Sequence, residues 1–307
     1  MTPLRGIILR AQSGFYWVDT PQGQILCRLR GKFKKGPRLG DVAAIGDWVK
    51  ITLLSDGSGV IEEIEPRTRT LSRKAPTPQG EYEQIIIANP DQAVLVFSCA
   101  QPDPRLGMLD RYLVICEKQA IPPLILVNKI DLIGLEQAQQ IFEPYRQLAY
   151  PLQYISAKSG FGLGELREYL KGKISVFTGP SGVGKSTILK SLLPQWEREI
   201  AAVRRRVYKG RHTTVTREMH PLPEGGYVAD TPGLKALALW DIQPEELDGY
   251  FVEMRELVKE CAFSDCTHLH EPGCAIRKAV EQGRIHLMRY QSYLRLRFGE
   301  EEDEIRV

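Results

Sequence analysis

The sequence predicts a multi-domain chain: a small N-terminal β-barrel, a central α/β domain with a parallel sheet, and a C-terminal α-helical domain carrying a cluster of cysteines. Three observations predict it. Short strand-like runs separated by turn residues fill the first 66 residues. From Gln84 onward, apolar runs alternate with helix-patterned segments, as in parallel strands joined by crossover helices. Three cysteines then crowd between Cys261 and Cys274 among turn residues. A chain of 307 residues has room for several cores.

The barrel is expected over residues 1–66. Its candidate strands are Gly6–Arg10, Phe15–Asp19, Gln24–Arg30, Trp48–Leu53 and Val60–Glu65, and five short strands of this kind suggest an OB-fold. Residues 67–84 are basic and punctuated by proline, with few apolar anchors, and are expected to be a linker. The central domain is expected over 85–236. Its strands are Ala93–Ser98, Leu124–Val127, Gln153–Ile155, Ile174–Thr178 and Gly226–Ala229; its helices are Met108–Gln119, one after Leu135, Leu163–Leu170, and one from Gly184 or Lys185. Residues 237–298 are expected to be helical around Glu245–Glu260 and again over Ala275–Phe298, with 299–307 a frayed acidic tail.

Lysine and arginine number 41 against 38 acidic residues, a net charge of +3, so a nucleic-acid surface requires local clusters. Two clusters exist, at 28–38 and 203–211. The N-terminus lacks the layout of a signal peptide, and no apolar run reaches membrane-spanning length, so a soluble, cytoplasmic protein without membrane contact is expected. Cys27, Cys99 and Cys116 lie singly in apolar stretches and read as reduced core thiols rather than disulfide partners.

Gly179-Pro180-Ser181-Gly182-Val183-Gly184-Lys185-Ser186 matches G-x-x-x-x-G-K-[ST] and directly follows a predicted strand, with Thr187 next. Its glycines let successive backbone N–H groups aim at phosphate oxygens, and the following helix adds its positive N-terminal end. Lys185 is placed to reach the β- and γ-phosphates, and the Ser186 hydroxyl to ligate Mg²⁺. Asn128-Lys129-Ile130-Asp131 directly follows the strand Leu124–Val127. A carboxylate there accepts from both N1–H and the 2-amino group of guanine, a pair adenine does not offer. Asp131 therefore selects GTP, with Asn128 tying the base edge to neighbouring loops and the Lys129 stem lying over the purine. Ser156-Ala157-Lys158 ends the next predicted strand, where the Ala157 N–H is aimed at the guanine O6.

Asp230-Thr-Pro-Gly233 ends the strand Gly226–Ala229. The Asp230 carboxylate suits the Mg²⁺ shell through water and the Gly233 N–H suits the γ-phosphate. Between it and the phosphate loop lies Gly210-Arg-His-Thr-Thr-Val-Thr216, which offers hydroxyls to Mg²⁺ and the γ-phosphate; Thr214 is favoured over Thr213 as the ligand.

The base-reading motifs thus precede the phosphate loop, the reverse of the ordinary order. A cyclic change of order keeps the same sheet if the old ends are joined, which Lys171-Gly-Lys173 does here. On these motifs and on Cys261–Cys274, nearly the whole chain resembles the RsgA (YjeQ) family of circularly permuted bacterial GTPases. The resemblance implies an OB-fold, a permuted GTPase domain and a zinc-containing helical domain, acting in maturation of the small ribosomal subunit, which stimulates hydrolysis. Val215 departs from the threonine usual in the family. Residue Leu234 follows Asp-Thr-Pro-Gly where Ras-type enzymes have a water-positioning glutamine. An aliphatic group cannot orient water, so slow intrinsic turnover is expected, with His212 the candidate for that task; the resemblance points to it as well.

Cys261, Cys266 and Cys274 with one histidine give C-x₄-C-x-H-x₅-C, a closed tetrahedral donor set that implies structural Zn²⁺. His268 matches the family, and His270 is a possible substitute. Arg28, Arg30, Lys32, Lys34, Lys35 and Arg38 surround a barrel loop of the kind OB-folds use for nucleic acid. Arg204, Arg205 and Arg206, with Lys209 and Arg211, form a second basic group beside the first switch. The basic helix Ala275–Phe298 either joins them or packs on the central domain. The resulting expectation is a monomeric GTPase acting on the small ribosomal subunit and its rRNA, cycling between GTP and GDP. The alternatives are a GTPase serving another RNA or translation target, and a zinc-dependent RNA-binding module without turnover.

Overall fold

The computed structural model describes residues 3–34, 41–77, 80–193, 218–230 and 242–299. Strands β1 (Leu4–Gln12), β2 (Phe15–Thr20), β3 (Gly23–Leu29), β4 (Trp48–Leu53) and β5 (Gly59–Ile64) close into a barrel in the order β1-β2-β3-β5-β4. Only β3 and β5 run parallel. Strand side chains alternate between faces, so Ile8, Val18, Ile25, Cys27, Val49, Ile51 and Ile61 fill the inside.

The stretch expected to be a linker is instead a two-stranded antiparallel ribbon, β6 (Thr70–Thr77) with β7 (Gly80–Ala88). Backbone pairing holds it, while Leu71, Ile85, Ile86 and Ile87 bury its base. Arg67, one of the supposed linker cations, forks onto the buried Asp47 carboxylate at 2.7 Å with Nε and Nη2, and Nη2 also donates to the carbonyl of Asp41. A charge-assisted pair of this geometry fixes the loop ahead of β4.

The central sheet has the order β10-β9-β8-β11-β13-β12, from β8 (Gln92–Ser98), β9 (Pro123–Asn128), β10 (Leu152–Tyr154), β11 (Ile174–Thr178), β12 (Met219–Pro221) and β13 (Tyr227–Asp230). All neighbours are parallel except β12 and β13. β12 is absent from the sequence-based expectation. A sheet covered on both faces needs apolar residues on both, and β8 supplies them: Leu95 and Phe97 face one core, Val94 and Val96 the other. The first core is closed by α1 (Leu106–Lys118), α2 (Leu135–Ile141) and α3 (Glu143–Arg146), the second by α4 (Leu163–Leu170) and α5 (Lys185–Leu192). Ile7, Leu9 and Ile45 of the barrel belong to the first core as well. Two polar contacts add to this seam: Tyr227 Oη donates to Asp19 Oδ2 at 3.0 Å, and Arg10 of β1 forms a β-bridge with Glu218, next to β12.

The C-terminal part differs from the two long helices expected. Around Glu245–Glu260 it forms short 3-10 turns, Pro244–Tyr250 and Val258–Glu260, and beyond the cysteines it forms α6 (Ala275–Glu281) and α7 (Leu287–Phe298). Gly283, in the left-handed region at φ 72°, divides them. Val114 of α1 packs with Leu247, Phe251, Met254, Ile276 and Tyr293. Arg289, on the basic stretch expected either to meet RNA or to pack on the central domain, does the latter and is 1% exposed. Its guanidinium pairs with Asp110 of α1 and, at 2.6 Å, with Glu253. Burial alone would lower its pKa, but these two carboxylates outweigh that and raise it. Among the described residues no helix is long and apolar enough to cross a membrane.

Candidate nucleotide site and metal centre

Loops at the carboxyl ends of β11, β9, β10 and β13 lie side by side because their strands are neighbours or near neighbours in one parallel sheet. The phosphate loop joins β11 to α5. Its sharp path requires glycine twice. Gly179 has φ 144°, and a Cβ there would lie 2.0 Å from the Val96 carbonyl oxygen. Gly184 has φ 99°, and a Cβ there would lie 2.3 Å from Asn128 Nδ2. The second position lets the phosphate loop pack directly on the Asn128 loop.

That contact is knitted by hydrogen bonds. Asn128, 2% exposed, donates from Nδ2 to the Val183 carbonyl at 2.9 Å and accepts the Ala157 N–H on Oδ1 at 3.0 Å. One amide therefore joins three loops. The Ala157 N–H, expected to face guanine, here points at Asn128. Lys129 stands in the left-handed region at φ 70° and donates from Nζ to the carbonyls of Gly182, at 2.7 Å, and Gln101. Asp131 is exposed and accepts a 2.6 Å bond from the buried Ser156 hydroxyl, which also takes the Ser159 N–H. Lys158 is exposed.

Lys185 Nζ donates to the carbonyls of Gly179 and Pro180 at 2.7 and 2.6 Å, which folds its charge over the loop. Ser181, Ser186 and Thr187 are exposed along the same edge. Asp230 lies beside β11, in register with Phe177. Its Oδ1 is buried with no hydrogen-bond partner among the described residues. Burial raises its pKa, and the nearby Lys185 charge only partly opposes this. A buried carboxylate lacking a donor suits a cation. His212, Thr213, Thr214 and Gly233 lie outside the described residues, as do Lys35, Arg38, Arg204, Arg205 and Arg206.

Cys261, Cys266, His268 and Cys274 place four potential ligand atoms within 4.8 Å of one another, a set that could hold a metal ion. His268 Nδ1 lies 3.6 Å from Cys261 Sγ and 3.4 Å from Cys274 Sγ, while Nε2 meets Asp248 Oδ2 at 3.0 Å. The backbone of His268 is left-handed at φ 63°, which turns the ring inward. Exposed His270 lies outside the set. The compact S₃N set with an outer carboxylate on the imidazole has the chemistry of a closed structural centre.

Of the barrel cations, Arg30 pairs with Glu62, Lys32 lies 5.0 Å from the Phe33 ring centroid, and Arg28 lies 4.6 Å from that of Phe15. Lys34 ends a short 3-10 turn beside them.

Sequence reasoning missed Gln101, Ser98 and Asp248. Ser98 Oγ donates to the Pro102 carbonyl at 2.7 Å and shapes the loop that receives Lys129. No motif marks these residues. The only available signal for the first two was their position at the carboxyl end of a parallel strand.

The arrangement defines a P-loop guanine-nucleotide domain in which the base-reading loops precede the phosphate loop. The family described as RsgA GTPase matches residues 64–240, and the RsgA N-terminal domain matches 5–61. The small ribosomal subunit biogenesis GTPase RsgA of Gemmatimonas aurantiaca is 40% identical over 302 residues, 96% of this chain and 97% of that protein. Its namesake from Thermotoga maritima is 39% identical over 298 residues, 95% of each chain. The crystal structure of YjeQ from Thermotoga maritima superposes with a TM-score of 0.77 at 36% identity, covering 97% of this chain and 98% of that one. YloQ, a circularly permuted GTPase, gives 0.75 at 34%, covering 99% and 97%. The chain belongs to the RsgA GTPase family and is a GTP hydrolase.

Proposed function

We propose that this protein hydrolyses GTP as a maturation factor of the small ribosomal subunit, binding the subunit's rRNA and leaving after hydrolysis. The observation that carries the nucleotide half is the Asn128 amide, because it ties guanine reading to the phosphate loop through the Val183 carbonyl and the Ala157 N–H. Asp131 reads the guanine edge, with Ser156 fixing its carboxylate, and Lys129 covers the base. The Gly179–Thr187 backbone and Lys185 hold the phosphates, joined by Thr213, Thr214 and Gly233. Ser186, Thr214 and Asp230 would hold magnesium, which when bound supplies positive charge against that building on the phosphate oxygens. His212 orients the attacking water. Cys261, Cys266, His268 and Cys274 hold one zinc ion that shapes the C-terminal domain. Arg28, Arg30, Lys32, Lys34, Lys35, Arg38 and Arg204–Arg206 contact RNA phosphates. The protein acts as a cytoplasmic monomer.

The ribosomal half draws on the names of relatives that align along almost the whole chain. Phosphate release measured with purified small and large subunits tests it: stimulation by small subunits alone is expected, and equal or no stimulation overturns it. His212→Ala is expected to abolish that stimulation while leaving GTP affinity intact. Full stimulated turnover in the variant would remove His212 from the mechanism.

A further inference from the structure

A cleft of about 460 Å³ opens on the barrel, and none of the nucleotide-loop residues lines it. Its volume falls in the range of about 300–1,000 Å³ usual for small-molecule sites. Phe15 and Tyr16 of β2, Arg28 of β3, Phe33, Asp41 and, from β7, Tyr82 line it. Ser13 and Gly14 of the β1–β2 loop line it as well. The β4–β5 loop lies within electrostatic reach of Arg28 through Asp56. Strands 2 and 3 with these two loops form the face on which OB barrels take oligonucleotides. Here the ribbon adds a wall the barrel alone lacks.

The chemistry of the walls distinguishes a base from a phosphate. The Arg28 guanidinium lies 4.6 Å from the Phe15 ring centroid, which makes a flat, cationic stacking surface, and among the described residues Arg28 forms no ion pair. Asp41 brings a negative charge to the lining, which disfavours a phosphodiester inside. Its oxygens accept from Tyr82 Oη at 2.8 Å and from the Ile85 N–H at 3.0 Å, so the wall is held in place by the ribbon. Lys32 stands beside Phe33, where a flanking phosphate would pass.

We infer that this cleft receives one unpaired base of single-stranded RNA, stacked on the Phe15–Arg28 surface and enclosed by Tyr82, with its neighbouring phosphates outside. The inference rests on the RNA reading of the barrel proposed above and adds the form of RNA and the mode of contact. Stacking on an aromatic side chain contributes about 1–3 kcal/mol per base and tolerates sequence change, whereas contacts to phosphates weaken with salt.

The test uses the full-length protein and a twelve-residue oligouridylate carrying one central 2-aminopurine, whose fluorescence falls when it stacks. The wild type is expected to bind and quench it. Phe15→Leu is expected to lose the quenching and about 5- to 100-fold in affinity. Tyr82→Leu, on a separate element, should lose the quenching as well. Lys32→Ala should weaken binding mainly at low salt and keep the quenching. Binding without quenching, or an unchanged Phe15→Leu, overturns the cleft and leaves the RNA reading standing. A wild type that binds neither the oligonucleotide nor small subunits defeats the RNA reading itself. A Phe15→Leu variant that weakens subunit binding but not oligonucleotide binding assigns the cleft to a protein and likewise overturns the inference.

Discussion

Asp131 shows how much of the site is decided by single side chains. Its carboxylate is exposed and oriented by the Ser156 hydroxyl at 2.6 Å, and the proposed role is to accept from two donors on the guanine edge. Asp131→Asn replaces one acceptor by a donor. GTP affinity should fall on the order of 10- to 100-fold, taking a charged hydrogen bond at about 1.5–3 kcal/mol. Xanthosine triphosphate, which carries a carbonyl where guanine has its amino group, should gain relative to GTP in a competition titration. His220, on β12, gives a pH prediction. Burial lowers its pKa from 6.5 to about 4. As pH falls below 6.5 the unfolded chain takes up a proton that the folded chain refuses until near 4, so folding stability is lost across that window. Urea midpoints of the wild type and His220→Gln should therefore diverge on acidification from pH 7 to 4.5, with the wild type losing more. Residues of this kind differ in legibility. The positions of Asn128, Asp131 and Lys185 at or beyond the ends of β9 and β11 were readable because each motif follows an apolar strand-like run at fixed spacing. Ser98 and Gln101 were not, since their roles arise from where a loop comes to rest against Lys129 and Gly182.

At the scale of elements, the ribbon β6–β7 marks the limit of hydrophobic patterning. In sequence its outer part, Ser72–Glu83, holds charged, polar and proline residues with no apolar alternation to set a strand period, so the backbone pairing of β6 with β7 leaves no hydrophobic signature. The interrupted C-terminal helices went unread for a related reason: Gly283 ends one and begins the path to the next within a stretch where basic and apolar residues recur on both sides of it. The cysteine cluster, by contrast, was legible in its spacing, though its orienting carboxylate was not. Asp248 lies 20 residues before His268 and meets its Nε2 at 3.0 Å. Such partners fix the ring that binds the ion, and losing one typically costs 10- to 100-fold in metal affinity. Loaded with Zn²⁺, Asp248→Ala should release it to a competing chelator at correspondingly lower chelator concentration. Equal retention would show that the backbone of the cysteine loop orients His268 unaided.

For the molecule as a whole, the main architecture was legible because each domain carries its own periodicity or motif, while the seams between domains were not. The Arg289–Asp110 pair spans 179 positions of sequence and is buried at both ends. Arg289→Met would strand the Asp110 and Glu253 carboxylates inside the seam between α1 and the C-terminal part, at a cost of about 3–5 kcal/mol. Chemical denaturation should show it. A midpoint within error of the wild type would mean that water reaches the seam and satisfies those carboxylates.

The other seam lies where the barrel meets β12 and β13, through Tyr227–Asp19 and the Arg10–Glu218 bridge. Asp230 ends β13, three residues beyond Tyr227, so the barrel is fastened to the strand that carries the carboxylate proposed for the magnesium shell. Thermodynamic reciprocity then applies. Whatever factor nucleotide exchange imposes on the affinity of the barrel for its partner, the partner must impose the same factor on the preference for GTP over GDP. Should such a factor exist, the Tyr227–Asp19 and Arg10–Glu218 contacts give it a direct route between the barrel and β13.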